Sequence, residues 1–330
     1  MFLSIYGLNI ECIVASKELV LKPFLYFTKN NVSCAIKIII KEDDIPYHTF
    51  PAIPASFSSP RNIVYTTSDI KIIDYFGGGV VIHDIHKNIY TLYSRDRNFL
   101  MESFYLLVLS LFGQYCDTNN MIRIHALGLS YKDTAFLMPI PPGGGKSTMA
   151  FNILKDKDIK LISDDEPIYA NTGKFLPFPL RIGTLNKDML HNIPEKYVYS
   201  IDRIEFGKKF FIDCSYWEDQ IEHRYLKKSV LFFTQRVLNG QSSICPTPKY
   251  PVFKSLIRDA VVGIGLYQGI EFLFSHSSLE VFQKFKIAIK RLRLALQLTQ
   301  SSQTFKLTLS NDIQENTKTL RQFIKNYPSK

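Results

Sequence analysis

Disulfide chemistry is the first thing the chain lacks. Five cysteines, Cys12, Cys34, Cys116, Cys214 and Cys245, stand singly in 330 residues with no C-x-x-C pair. That odd, scattered set suits neither a cystine framework nor a zinc site and points to reduced thiols in a cytoplasmic setting. Long hydrophobic runs are missing as well. The most apolar segment, Phe104 to Phe112 (FYLLVLSLF), falls short of the roughly 20 residues that a membrane span needs, and reads as a buried helix begun near Asp96 and ended by Gly113. The N-terminal MFLSIYGLNIECIVAS has no basic n-region and is interrupted by Glu11, so it reads as a first β-strand rather than a signal peptide. No internal repeat is visible, and tryptophan is reduced to Trp217.

Acidic residues are in deficit, 30 Asp/Glu against 40 Lys/Arg, for a formal charge of +10. Residues 281–330 alone hold ten Lys/Arg and two Asp/Glu. Within them VFQKFKIAIKRLRLALQL reads as an amphipathic helix with Val281, Phe282, Phe285, Ile289, Leu292 and Leu296 on one face. Lys284, Lys290, Arg291 and Arg293 fall on the others, as a solvated basic face or one that attracts an acidic partner. Aromatics are not interleaved with this basic run and no nucleic-acid module is recognisable, so nucleic acid is not expected as a partner. With 46% hydrophobic residues the chain can bury a large core.

Organisation changes along the chain. Residues 1–95 show short β-like runs, Ser33–Lys41, Asn62–Thr67, Val80–His83 and Asn88–Tyr93, separated by turns, with IPASFSSP (53–60) as a loop and Gly77–Gly79 as a turn. These predict a β-rich domain, a linking helix over 96–121, and an α/β domain over 122–330 in which strands and helices alternate. Lys227–Gln235 reads as a strand returning to the sheet; FKLTLS reads as another, followed by a cap at Ser310 or Asn311 and a terminal helix.

Chemistry is concentrated in PIPPGGGKSTMA, Pro139 to Ala150. Gly143, Gly144, Gly145, Lys146, Ser147 and Thr148 stand between a strand-like run and a helix-like one, the order that a phosphate-binding loop requires. Glycines let backbone N–H groups turn toward phosphate oxygens, and the helix presents its positive end to the same anion. Lys146 would reach the β/γ-phosphates and the Ser147 hydroxyl would ligate Mg²⁺. The usual pattern has glycine six residues before the lysine, where this chain has Ile140. Just downstream, the strand-like DIKLIS ends in Asp164, Asp165 and Glu166, where a metal ligand or a base would sit beside such a loop. Upstream, His125 lies in RIHALG, ahead of the strand that feeds the loop.

Taken together, Arg123-Ile-His125-Ala, GGGKST and LISDDE resemble the catalytic core of HPr kinase/phosphorylase and the smaller kinases related to it, over about Arg123 to Gly183. The Arg-Gly-Leu-Gly signature of the full phosphorylases is absent. In its place KFLPFPLRIG, with Arg181 as a candidate phosphate or substrate contact, is more similar to kinases found with peptide-modification genes, including those acting on lasso peptides. The resemblance implies an α/β fold with a phosphoenolpyruvate-carboxykinase-like P-loop nucleotide-binding core behind the β-rich domain. It implies Asp164 as the base, His125 tuning that carboxylate, and Asp165 with Ser147 holding Mg²⁺. It also implies ATP as donor and a hydroxyl of a peptide or small protein as acceptor, and is compatible with a homo-oligomer. A small-metabolite kinase acting on serine or a sugar, and a regulatory nucleotide-binding protein with little transfer activity, are the alternatives.

Overall fold

The computed structural model describes residues 1–14, 22–140, 144–203, 207–262 and 278–328, and shows a mixed α/β protein with several sheets. The chain divides into two compact units. One is built mainly from Met1–Tyr115, with Tyr199–Phe210 joining it; the other holds Cys116–Val198, Phe211–Tyr267 and Val281–Lys330.

The first unit is a nine-stranded sheet in the order 28–29, 2–5, 8–14, 36–41, 89–93, 80–84, 70–74, 63–66, 55–58. Strand 36–41 pairs in parallel with both 8–14 and 89–93, and the other pairs are antiparallel. The N-terminal segment is a hairpin rather than one strand. Tyr6 and Gly7 both take positive φ, 52° and 102°, the two-residue turn whose twist matches the paired strands. The segment expected as a loop at 53–60 supplies the edge strand Ala55–Ser58. Gly77–Gly79 lies in the turn joining Ile70–Asp74 to Val80–Asp84.

The apolar helix runs Arg97–Thr118, past Gly113. Gly113 does not end it because the next turn is anchored: Tyr115 donates its hydroxyl to the Tyr6 carbonyl at 3.1 Å. Phe104 meets Phe24, and Phe99 meets Tyr75, edge to face. By length and composition this helix passes for a membrane span, but 72% of its apolar window is buried within the protein, the behaviour of a core helix. It belongs to the first unit through Tyr115 rather than standing as a separate linker.

The second unit is organised on a six-stranded mixed sheet, ordered 160–163, 127–131, 134–138, 228–236, 303–309, 243–246. Thr134–Met138 is buried at every position and pairs in parallel with Lys228–Arg236, which pairs in parallel with Gln303–Leu309. A strand covered on both faces needs an unbroken apolar run, which AFLM supplies after Thr134. Ile140 extends that run and is 1% exposed, so the position where glycine was expected is instead a core anchor. The terminal helix, Ile313–Asn326, is capped by Asp312, one residue beyond the expected Asn311; its carboxylate accepts from the Gln314 and Glu315 N–H groups.

The basic helix runs Ser278–Ser301, and of the face expected to be apolar three residues turn outward while Ile289 is half-buried. Phe285, Leu292 and Leu296 are exposed, while Arg291, Leu294, Ala295 and Leu298 are buried. Arg291 decides the rotation: its guanidinium grips both Asp117 carboxylate oxygens at 2.7 Å, a bidentate pair that turns this arginine into the interior. The side chains of Val281, Phe282 and Lys284 lie outside the described residues.

One buried acid fastens the sheet edge. Glu222 donates its backbone N–H to the Leu161 carbonyl at 2.9 Å and accepts from Ser130 Oγ at 2.8 Å and from Arg224 Nε at 2.9 Å. Burial alone would raise its pKa, but hydrogen bonds from the Arg224 side chain and backbone and from Ser130 outweigh it, holding the carboxyl at about 2 against an ordinary 4.5. Because the folded value lies below the unfolded one, this stabilisation is complete above pH 4.5 and is lost as pH falls toward 2. Glu222→Gln should therefore cost about 3 kcal/mol at pH 7, the shift converted at about 1.4 kcal/mol per unit. In urea titrations at stepped pH, the gap between variant and parent should close below pH 4.5; a gap that is constant with pH would contradict the assignment.

Candidate functional site

The central strand Thr134–Met138 leads into the glycine segment, and the helix Lys146–Ile153 follows it. Gly143 lies outside the described residues; Gly144 and Gly145 are described. Gly145 is the helix N-cap at φ 85°, and its carbonyl accepts from the Met149 N–H at 2.8 Å. A Cβ there would sit 3.1 Å from Ile313 Cδ1 and force a left-handed backbone on an L-residue. Gly145→Ala should lower stability by about 1–2 kcal/mol from the backbone alone, measured by urea unfolding. An unchanged midpoint would mean that the turn tolerates a side chain.

Two further segments reach the same place through backbone register. Ile124 donates its N–H to the Pro167 carbonyl at 3.0 Å and Ala126 donates to the Asp165 carbonyl at 3.1 Å, so the chain around His125 runs alongside the acidic turn. Ser163 Oγ accepts from the Glu166 N–H at 3.0 Å and fixes that turn. His125 itself donates its backbone N–H to the Asp259 carbonyl at 2.9 Å.

Successive acids therefore face different partners. Asp164 is buried and accepts a hydrogen bond from Ser147 Oγ at 3.0 Å. Asp165, with a half-exposed side chain, forms an ion pair with Lys146, and its Oδ1 lies 3.2 Å from His125 Nδ1. Lys146 Nζ is also 3.1 Å from His125 Nε2. The resemblance implies His125 beside Asp164 and the metal on Asp165 with Ser147; the contacts join His125 to Asp165 and Ser147 to Asp164. The cause is the bend that begins where the strand ends at Ser163, fixed by the Ser163 Oγ to Glu166 N–H bond and the Ala126 to Asp165 backbone bond, which leaves the two side chains with different neighbours. Thr148 follows on the first turn of the helix, beside a cleft.

Electrostatics favour a neutral imidazole. Burial lowers the His125 pKa below 6.5, and Lys146 and Arg258 push it the same way against Asp165 and Asp259. Behind the site, Glu166 is wholly buried against Arg123 at 3.0 Å, and burial pushes its carboxyl up despite the arginine. Cys214 is no candidate nucleophile, because burial and the nearby Asp213 and Asp164 raise its thiol well above 9.0. Arg181, a candidate phosphate contact by sequence, lays its guanidinium 3.9 Å above the Phe211 ring.

Two contributors carried no motif. Arg258 and Asp259 sit on the π-helical turn Ile257–Val262, a rare geometry often found at functional sites, and pair with each other at 2.8 Å. Nothing in SLIRDAVV marks that turn or its approach to His125.

The donor set suits a hard cation. A serine hydroxyl and a carboxylate, Ser147 and Asp164, are oxygen ligands of the kind that hold Mg²⁺ together with substrate phosphates and water. Among the described residues, no group of three or more His, Cys, Asp or Glu side chains converges as a self-sufficient metal site. No protein-family model matches the chain, and no curated protein matches it.

Proposed function

We propose that this chain is an Mg²⁺- and ATP-dependent kinase that transfers the γ-phosphoryl group to a hydroxyl, of serine type, on a peptide or small protein. The observation that carries the reading is the split of two adjacent acids between the two side chains a phosphate loop depends on, Asp164 on Ser147 and Asp165 on Lys146 with His125. The strand, glycine turn and helix at the centre of a mixed sheet support a nucleotide-binding core of phosphoenolpyruvate-carboxykinase type. Motifs over Arg123 to Gly183 that resemble the HPr kinase group support the choice of reaction.

Gly144 and Gly145 would turn backbone N–H groups to the phosphates, and Lys146 would leave Asp165 for the β/γ oxygens. Ser147 and Asp164 would hold Mg²⁺, which supplies charge neutralisation on the phosphates when bound. Asp165, the more exposed acid, would then be free to accept the proton of the attacking hydroxyl, oriented by His125. Phosphoryl transfer asks little more of a protein than alignment, charge and one base.

Calorimetric titration with ATP tests the first half of the reading. Binding should require Mg²⁺ for full affinity and should weaken in Asp164→Asn; ATP binding indifferent to both would remove the metal from this pair.

A further inference from the structure

A cleft of about 690 Å³ opens within the second unit on one side of the Lys146–Ile153 helix, a volume in the range of small-molecule sites. We propose that it receives the purine nucleoside of the donor nucleotide. The proposal rests on the kinase reading and adds to it what the glycine loop cannot specify, namely which end of the donor is recognised and by which residues.

Helical residues step by about 100°, so Thr148 lies about 200° around from Lys146, with Phe151 and Asn152 close to the Thr148 side. Thr148, Phe151 and Asn152 line the cleft, whereas Lys146 points to Asp165 and His125. A triphosphate seated at the helix start thus has its reacting end on the acid and histidine side, and its nucleoside end leaves past Thr148 into the cleft. An acceptor in the cleft would be on the wrong side of the helix to reach Asp165. Continuity is supplied by Ile313, which lines the cleft and is also the atom group nearest to the position of a Gly145 Cβ, at 3.1 Å.

Phe151 and Tyr216, both half-buried, are backed by Trp217, 5% exposed, which meets them edge to face at 5.9 Å and 4.9 Å, so the two outer rings form an aromatic wall on which a flat base can rest. Trp217 is held at a kink, φ −111° and ψ 32°, inside Cys214–Gln220. Gln220 pins that segment to the helix exit by donating to the carbonyls of Leu154 at 2.8 Å and Asp156 at 3.1 Å. Asn192 also lines the cleft, an exposed amide of the kind that pairs with the donor and acceptor edge of a purine. The charges in the lining balance, Lys155 and Lys157 against Asp188 and Asp219, so that together with the aromatic rings and amides the cleft suits a neutral heterocycle better than a phosphate or an acidic peptide.

The chain's single tryptophan lies in this cleft and makes the test direct. The full chain is titrated in Mg²⁺ with ATP and, separately, with inorganic tripolyphosphate, following heat and Trp217 emission, in the parent, Phe151→Leu and Asn192→Ala. Both ligands should bind in competition, with only ATP changing the emission. Phe151→Leu should weaken ATP at least tenfold and leave tripolyphosphate within twofold; Asn192→Ala, at an exposed position, gives the same readout should the first variant misfold. If ATP binds no more tightly than tripolyphosphate, leaves the emission unchanged and is indifferent to both variants, the cleft is not the nucleoside site while the phosphate loop stands. If neither ligand binds, the kinase reading falls and this proposal with it.

Discussion

Replacing Lys146 by alanine should abolish phosphoryl transfer and raise the dissociation constant for ATP by more than tenfold. In the structure this ammonium is held between Asp165 and His125 Nε2, at the first residue of the helix that follows the glycine turn. It stands where it can neutralise β/γ-phosphate charge, and such a contact in a partly buried setting strengthens as charge develops in the transition state. Removing it also takes the Lys146 charge away from Asp165 at the place where phosphate would arrive, so the variant adds repulsion to the lost attraction. Its fold should survive, because the glycine turn and Met149 hold the helix start without the side chain. ATP binding and single-turnover transfer, measured beside a circular dichroism spectrum, check this; unchanged affinity and rate would remove the phosphate loop from this segment.

The second large effect is expected at Asp165. Asp165→Asn keeps the shape and the neighbouring backbone but cannot accept a proton, and transfer should fall by about 10² to 10⁴, the range for loss of a general base. ATP affinity should hold or tighten, since Lys146 loses a competing carboxylate. Asp164→Asn should act differently, shifting the Mg²⁺ requirement through its bond to Ser147. If Asp165→Asn stays within a few-fold of the parent while Asp164→Asn loses transfer with Mg²⁺ dependence intact, the two acids hold the opposite roles.

That distinction was not legible in LISDDE. The sequence showed two adjacent acids after a strand, which is enough to predict a site and too little to say which acid faces which partner. The answer depends on the backbone bonds from Ile124 to Pro167 and from Ala126 to Asp165, and those join segments about 40 residues apart. The strands Thr134–Met138 and Lys160–Ser163 were legible, because continuous apolar runs bounded by polar turns identify buried strands. Helix orientation was less so. Periodicity in VFQKFKIAIKRLRLALQL favoured Phe285, Leu292 and Leu296 as the inner face, but the bidentate pair of Arg291 with Asp117, 174 residues away, outweighed it. The hairpin at Tyr6-Gly7 was available locally, since glycine after an aromatic between two alternating runs is a turn signal. Trp217 and Phe151 carried no motif at all; only the fold brings residues 66 apart into one aromatic wall.

Transfer to a hydroxyl is read out by mass spectrometry. Serine-, threonine- and tyrosine-containing peptides, with free serine and simple sugars alongside, are incubated with the full chain, Mg²⁺ and ATP bearing ¹⁸O in its γ-phosphoryl group, in parallel with the Lys146→Ala protein. The account predicts a hydroxyl acceptor that gains the labelled phosphoryl mass with the parent and not with the variant, with serine peptides ahead of the small molecules. ATP bound by the parent with no label on any acceptor, or labelling that persists undiminished in Lys146→Ala, would contradict it.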